Sequence, residues 1–237
     1  MKKLPLRSRW KKAQQYEEQW WASRIDRIDL EYYRAYAERL KKLLSTVLDI
    51  STDTFILEVG SGAAGILTFL ESKHKIAIDP LEDFFASIKP FSDFRDKRVN
   101  YFKGRGETLP FKDSLFNLVI MDNVLDHCDQ PKRVLSEVQR VLKKGGVVYF
   151  RQNVYHIWGK IIRTFLENFE IDRGHPHSFT GKELKHSFDL LEIKILKTER
   201  TGYWKSWYRL VTSKNLKSLA KAFTFAAPDT TVYILEK

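Results

Sequence analysis

The amino-acid sequence predicts an α/β fold: a doubly wound, mostly parallel sheet of seven strands, preceded by helices and interrupted by an insertion near its end. Three observations predict it. From residue 55 onward, short apolar runs alternate with helical segments. A glycine turn, GSGAAG over residues 60–65, closes the first of those runs. Glycine is absent from residues 1–59, where apolar residues recur at helical spacing instead.

That spacing joins Tyr16 to Trp20, then Trp21, Ile25, Ile28 and Tyr32, then Tyr33, Tyr36, Leu40, Leu43 and Val47, and it breaks around Asp49–Thr54. Residues 1–50 are therefore expected to form an N-terminal helical cap and residues 51–237 the sheet domain. Phe55–Val59 is the first strand candidate, followed by the glycine turn and a helix from about Ala63 to Ser72. Lys75–Asp79 is the second, with a helix from about Leu81; Val99–Lys103 and Phe116–Met121 are the third and fourth. Pro131–Lys143 reads as a helix, with proline near its first turn and Gly145-Gly146 beyond its end, and Val147–Arg151 as the fifth strand. Helices near Ile157–Phe169 and Gly181–Phe188 follow, the second with Thr180 and Glu183 spaced for a capping box. Strands near Leu190–Thr198 and Thr231–Leu235, joined by an antiparallel return, extend the sheet edge. The aromatic, basic stretch between them, residues 203–228, reads as an insertion before the last strand.

Hydrophobic residues make up 43% of the 237 and charged residues 30%, a globular balance. No apolar stretch approaches the roughly 20 residues of a membrane-spanning helix. The basic start MKKLPLRSRWKK has no apolar signal-peptide core behind it. The single cysteine, Cys128, excludes an internal disulfide and a cysteine-rich zinc site. The expectation is a soluble, cytoplasmic protein. Its net charge of +11 is unevenly placed: residues 51–150 carry 14 basic and 14 acidic residues, while residues 1–50 carry +5 and residues 151–237 carry +6. Basic flanks attract nucleic acid, anionic lipid or an acidic small molecule, and they also serve plain solubility.

The segment FILEVGSGAAGI carries the strongest chemistry. Gly60, Gly62 and Gly65 follow a buried strand at GxGxxG spacing, which brings a ligand close to the main chain beyond the strand ends. The spacing suits a dinucleotide as well as other adenosine ligands, and a tight turn without a ligand would show it too. Glu58 stands at the end of the first strand and Asp79 at the end of the second. A carboxylate there can accept hydrogen bonds from both ribose hydroxyls. A ribose-bearing ligand is the expectation.

Further along, GRGETLPFKDSLFNLVIMDNVLDHCDQPKRVLSEVQRVLKKGGVVYF resembles the second half of the type 11 group of class I S-adenosylmethionine (SAM)-dependent methyltransferases, which includes ubiquinone- and menaquinone-biosynthesis-like enzymes. The matching residues are Leu109-Pro110-Phe111, His127, Leu135, Glu137, Arg140-Val141-Leu142-Lys143 and Gly145-Gly146, and the resemblance runs from about Thr54 to Arg151. It implies a Rossmann-like methyltransferase fold with SAM as cofactor. Gly60, Ser61, Gly62 and Gly65 would then lie along its methionine and ribose part, with Glu58 near its amino or sugar end. Asp79 would hold the ribose hydroxyls, Pro80 and Leu81 would border the adenine, and Gly106 and Glu107 would close its other side. Asp122 and Asn123 would face the sulfonium and the substrate. Arg105 stands where the group often has an adenine-binding Asp, and a guanidinium cannot accept a hydrogen bond, so adenine recognition is expected to shift to Glu107 or to backbone. Lys144 and Asn117 are lesser departures.

Methyl transfer needs a base only where the accepting atom loses a proton. His127, after the fourth strand, and His177, in DRGHPHSFT, are the candidates, with His175 beside the latter; each also reads as a hydrogen-bonded structural histidine. No metal is expected, since His175 and His177 lack an identifiable third ligand. Tyr16, Trp20 and Trp21 read as a lid over the site or as core contacts. Trp204, Trp207 and Tyr208, interleaved with Lys205 and Arg209, read as base-stacking, lipid-facing or internal. The expected partner is a small-molecule acceptor, anionic or lipid-like. A nucleic-acid methyltransferase, a nicotinamide oxidoreductase and a noncatalytic SAM-binding relative are the alternatives.

Overall fold

A computed structural model describes residues 6–167, 175–213, 215–224 and 226–237. The first fifty residues divide into helices α1 (Leu6–Ala22) and α2 (Leu30–Leu44), with a 3-10 turn at Ile25–Arg27. The helical spacing from Trp21 to Tyr32 crosses this break. Asp29 sets it by capping α2, its carboxylate accepting from the Tyr32 amide at 3.0 Å. Helix α2 then buries Ala37, Leu40, Leu43 and Leu44 against one face of the sheet.

Seven strands make one sheet: β1 (Phe55–Val59), β2 (His74–Asp79), β3 (Val99–Lys103), β4 (Phe116–Asp122), β5 (Leu142–Val154), β6 (Lys194–Arg200) and β7 (Asp229–Glu236). Their order is β3-β2-β1-β4-β5-β7-β6. Strands β1–β5 pair in parallel, and β7 runs antiparallel to both its neighbours, β5 and β6. The predicted doubly wound, mostly parallel sheet is therefore the observed one. Helices cover both faces, so the middles of β1 and β4 are apolar on both sides: Ile56, Leu118 and Ile120 join the α2 side, while Leu57, Val119 and Met121 join the other. The strand order reverses between β1 and β4, which opens a crevice at their carboxyl ends.

Between strands lie α3 (Glu82–Ser87), α4 (Lys89–Asp93), α5 (Pro131–Val141), α6 (Ile157–Glu167), α7 (Gly181–Leu190), α8 (Tyr203–Thr212) and α9 (Leu216–Phe223). The capping box of Thr180 and Glu183 forms as expected. Boundaries differ from expectation at α5 and β6. Helix α5 stops at Val141 because β5 begins at Leu142 and runs through Gly145, whose φ is 72°. Strand β6 starts at Lys194, since α7 continues to Leu190. The expected end of the sixth helix, Phe169, lies outside the described residues.

The largest correction concerns the helix expected over Ala63–Ser72, where the chain forms only a 3-10 turn, Leu67–Phe69. Gly62 and Gly65 take φ of 60° and 68°, which no α-helix accommodates. The fully buried Lys75 then holds the segment from behind. Its Nζ donates to the Leu67 and Leu70 carbonyls at 3.0 and 3.1 Å and to Asp96 Oδ2 at 2.7 Å. Replacing Lys75 by Met removes three donors from acceptors with little access to water. The expected loss is about 3 kcal/mol in urea unfolding; a change inside roughly 0.5 kcal/mol, the range of an ordinary surface substitution, would contradict this account.

Candidate active site

At the crevice, β1 ends in Glu58 and Val59 and β2 in Asp79, with the glycine turn between them. Gly60 donates its amide to the Ile78 carbonyl at 2.8 Å, binding the turn to β2. The Glu58 carboxylate, 6% exposed, accepts from the Ile66 amide at 3.1 and 3.2 Å. A Cβ on Gly65 would sit 2.9 Å from Glu58 Oε2, and one on Gly62 3.0 Å from the Trp21 ring. Asp79 grips the turn from the other side, accepting from the Gly62 amide at 3.0 Å and the Leu81 amide at 2.8 Å. Burial pushes Glu58 up to about 8, against the backbone amides that lower it, and Asp79 up to about 6 in the same way.

Above the turn is a cavity of about 360 Å3. Of the residues expected at the cofactor, Glu58, Gly60, Ser61, Gly62, Asp79, Pro80 and Leu81 line it from β1 and β2, and Gly106, Glu107, Asp122 and Asn123 from beyond. Gly65 does not reach it; it packs on Glu58 instead. Glu107, 5% exposed, uses Oε1 to accept from the Asp129 and Gln130 amides at 2.8 and 3.2 Å and from Arg105 Nη2 at 3.2 Å. Arg105 also reaches Asp129 Oδ2 at 3.4 Å and stacks on Trp10, 4.1 Å from the ring centre, which pins α1 over the opening. Asp122 takes both its oxygens to Arg151 Nη1, at 2.7 and 2.8 Å, and burial still raises its pKa. Asn123 holds φ at 57°, with its Oδ1 accepting from the Asn153 amide at 3.1 Å.

His127 lines the cavity, and its Nδ1 is buried without a hydrogen bond, 3.7 Å from Glu17 Oε2. Asp126 stands behind it, with Oδ2 3.1 Å from His175 Nδ1 and Oδ1 4.0 Å from His127 Nε2. Burial would raise Asp126, but His127, His175 and Gln152 outweigh it and hold the carboxyl below its usual range. The expected candidates were His127 and His177, with His175 beside the latter. His177 stacks with Phe179 and is absent from the cavity wall; it is His175 that joins His127 and Asp126 in one cluster.

Sequence reasoning also missed most of the helical wall of the cavity. Trp10, Gln14 and Glu17 of α1 and Tyr32, Tyr33 and Tyr36 of α2 line the cavity beside the suspected Trp20 and Trp21, whereas Tyr16 does not. The recurring aromatics signalled a face, but not that it would face the strand ends. Five acids, Glu17, Glu58, Asp79, Glu107 and Asp122, thus line the cavity against two cations, Arg105 and Arg151, and one histidine.

The sheet order, the glycine turn at the switch point and an acid ending each of β1 and β2 define the class I methyltransferase architecture. The fold itself is shared more widely. A geranyl diphosphate C-methyltransferase from Streptomyces coelicolor superposes with a TM-score of 0.64–0.65 at 13% identity, covering 85% of this chain and 75–78% of that one. The [4+2]-cyclase SpnF superposes at 0.58 and 15% identity, covering 84% and 80%. Sequence is more specific. Residues 57–150 match the methyltransferase domain family. A malonyl-[acyl-carrier protein] O-methyltransferase from Marinomonas sp. is 31% identical over 227 residues, 91% of this chain and 75% of that protein. A thiol S-methyltransferase from Rattus norvegicus is 30% identical over 129 residues, so that match spans about half of each, 52% of this chain and 53% of that protein. The chain belongs to the type 11 family of SAM-dependent methyltransferases.

The residues present fit that cofactor. Ser61 Oγ is buried in the cavity wall without a partner, and each Asp79 oxygen, with one amide bound, keeps a lone pair for a ribose hydroxyl. The excess of acids suits a cation carrying sulfonium and ammonium charges.

Asp79→Ala is expected to weaken SAM binding by about 1.5–3 kcal/mol, tenfold to over a hundredfold in calorimetric Kd; an unchanged Kd would remove Asp79 from the site. In the wild type, SAM affinity should fall as pH drops below about 6, where Asp79 takes a proton. Glu58 gives a prediction of its own. Its folded pKa is raised, so its contribution to stability is fully present below about 4.5 and is lost as pH rises through about 8. The thermal midpoint of the cofactor-free protein should decline across that window, and Glu58→Gln should flatten the decline; equal slopes in the two proteins would contradict the assignment.

Proposed function

We propose that this chain transfers the methyl group of SAM to a small-molecule acceptor whose reacting end is uncharged and partly apolar. The observation that carries the reading is one cavity in which the acids around the glycine turn meet a wall of aromatic side chains from α1 and α2. The thiol, malonyl-[acyl-carrier protein] and sterol methyltransferases among the relatives favour a small or lipid-like acceptor. An anionic acceptor group would meet more acids than cations inside, even with Glu58 protonated, so it fits better outside, against the basic flanks.

When bound, SAM supplies an electrophilic methyl group on its sulfonium. The chain's own residues hold and orient. Glu58, Ser61, Gly62 and Asp79 would hold the methionine and ribose portions; Leu81 and Gly106 would flank the adenine, with Glu107 beside it. Trp20, Trp21 and Tyr33 exclude water and offer apolar or hydroxyl contacts to the acceptor; burial, with Glu58 nearby, pushes Tyr33 up to about 12 and keeps it neutral.

His127 is the base where the accepting atom must lose a proton. Glu17 stands 3.7 Å from its Nδ1 and Asp126, backed by His175, 4.0 Å from its Nε2, so two carboxylates steady the imidazolium that forms when it takes a proton. His177 has the weaker claim, because it stands off the cavity. Residues 1–50 act as the cap that completes the acceptor side.

Methyl-labelled SAM offered to thiols, acyl-carrier thioesters and isoprenoid or sterol lipids should label one of these classes; calorimetry should detect SAM and not NADH. On the labelled acceptor, His127→Gln is expected to lower kcat by about 100-fold or more, with SAM Kd unchanged. Full turnover in the variant would exclude His127 as base.

A further inference from the structure

Helices α6, α8 and α9 of the last third carry large apolar side chains into solvent. On α6, Ile157, Trp158, Ile161 and Phe165 are 52–64% exposed and follow one helical face. On α8, Trp204 and Tyr208, one turn apart, are 71% and 65% exposed, and Phe223 at the end of α9 is 79% exposed. Topology brings these helices to one end of the molecule. Helix α6 follows the carboxyl end of β5 at Val154. Helices α8 and α9 join the end of β6, where Arg200 pairs with Thr231, to the start of β7, where Asp229 pairs with that same Val154. This is also the end at which the cavity opens.

Charge accompanies the apolar side chains. Residues 201–228 hold five Lys or Arg and no Asp or Glu. Lys205 and Arg209 are exposed on α8 beside Trp204 and Tyr208, and Lys221 is exposed on α9. On α6 the apolar face has no comparable cation, because Lys160 is paired with Glu183 and Arg163 is buried.

We propose that the exposed faces of α6, α8 and α9 lie on the surface of an anionic lipid bilayer, with the apolar side chains in the acyl boundary and the cations among the headgroups. Among the described residues no helix is long and apolar enough to cross a membrane, so the contact is parallel to the surface. Aromatic residues beside lysine and arginine also suit single-stranded RNA, but a strand of phosphates needs cations along its path, and the α6 face offers aliphatic side chains instead. A second copy of this chain would bring Lys205, Arg209 and Lys221 against their own counterparts across a two-fold axis.

The proposal goes beyond methyl transfer and does not require it. The cofactor-free wild-type chain would be sedimented with vesicles of phosphatidylcholine, with and without phosphatidylserine, while its tryptophan emission is followed with acyl-brominated lipid. It should sediment with the anionic vesicles and be quenched. Trp158→Glu combined with Trp204→Glu should cost at least about tenfold in vesicle affinity and most of the quenching. Lys205→Glu with Arg209→Glu, or high salt, should weaken binding similarly. Calorimetric SAM binding, unchanged in each variant, checks the fold. The proposal is overturned if the wild type stays in the supernatant, or if binding and quenching survive the tryptophan changes. It is equally overturned if salt-sensitive RNA binding, or a stable dimer by light scattering, occurs without vesicle binding. None of these results touches the assignment of SAM, which calorimetry reads separately.

Discussion

The carboxyl end of the sheet is organised by a buried carboxylate meeting backbone amides. Glu58 turns inward from β1 onto the Ile66 amide, and Asp79 turns from β2 onto those of Gly62 and Leu81. Two acids from neighbouring strands thus hold one turn from both sides. A helix over Ala63–Ser72 would have used the Ile66 amide internally; here it points at Glu58, and the turn stays low against the sheet. The depth of the cavity, the closeness of Trp21 to Gly62 and the aim of Asp79 all follow from that arrangement. Keeping an acid so far from water has a cost, visible as the raised pKa of Glu58.

The molecule presents two electrostatic environments. Its net charge is strongly basic, while the charged residues that line the cavity are mainly acids. The two are separated by the aromatic residues of α1 and α2, and Arg105 fastens that layer by bridging Glu107 and Asp129 beneath Trp10. Arg105, a departure from the family pattern, thus ties the Trp10 ring of α1 to the acids Glu107 and Asp129.

Much of this was legible in the sequence, for definite reasons. Strands buried on both faces write themselves as continuous apolar runs, so β1, β2 and β4 were readable to within a residue or two. Glu58 and Asp79 could be placed because they end such runs. What misled was the glycine turn, where spacing suggests a helix but the positive φ of Gly62 and Gly65, with Lys75 beneath, forbids one. Asp126 and His175 were illegible as a pair, since nothing local in either segment records that they meet across 49 positions of chain. The lid was half legible: periodicity marks an apolar face but not what it covers.

The place of β7 has a consequence for how the chain acquires its shape. The strand latest in sequence sits inside the sheet, between β5 and β6. While the chain is being synthesised, β5 can join the parallel block as soon as it emerges, but β6 has no neighbour to pair with. It must wait, with its backbone groups unmatched, until residues 229–236 arrive to bridge it to β5. Assembly of this sheet is therefore polarised. The cofactor-binding half can form early from local crossovers, and the half bearing α6 to α9 closes only in a final, long-range step.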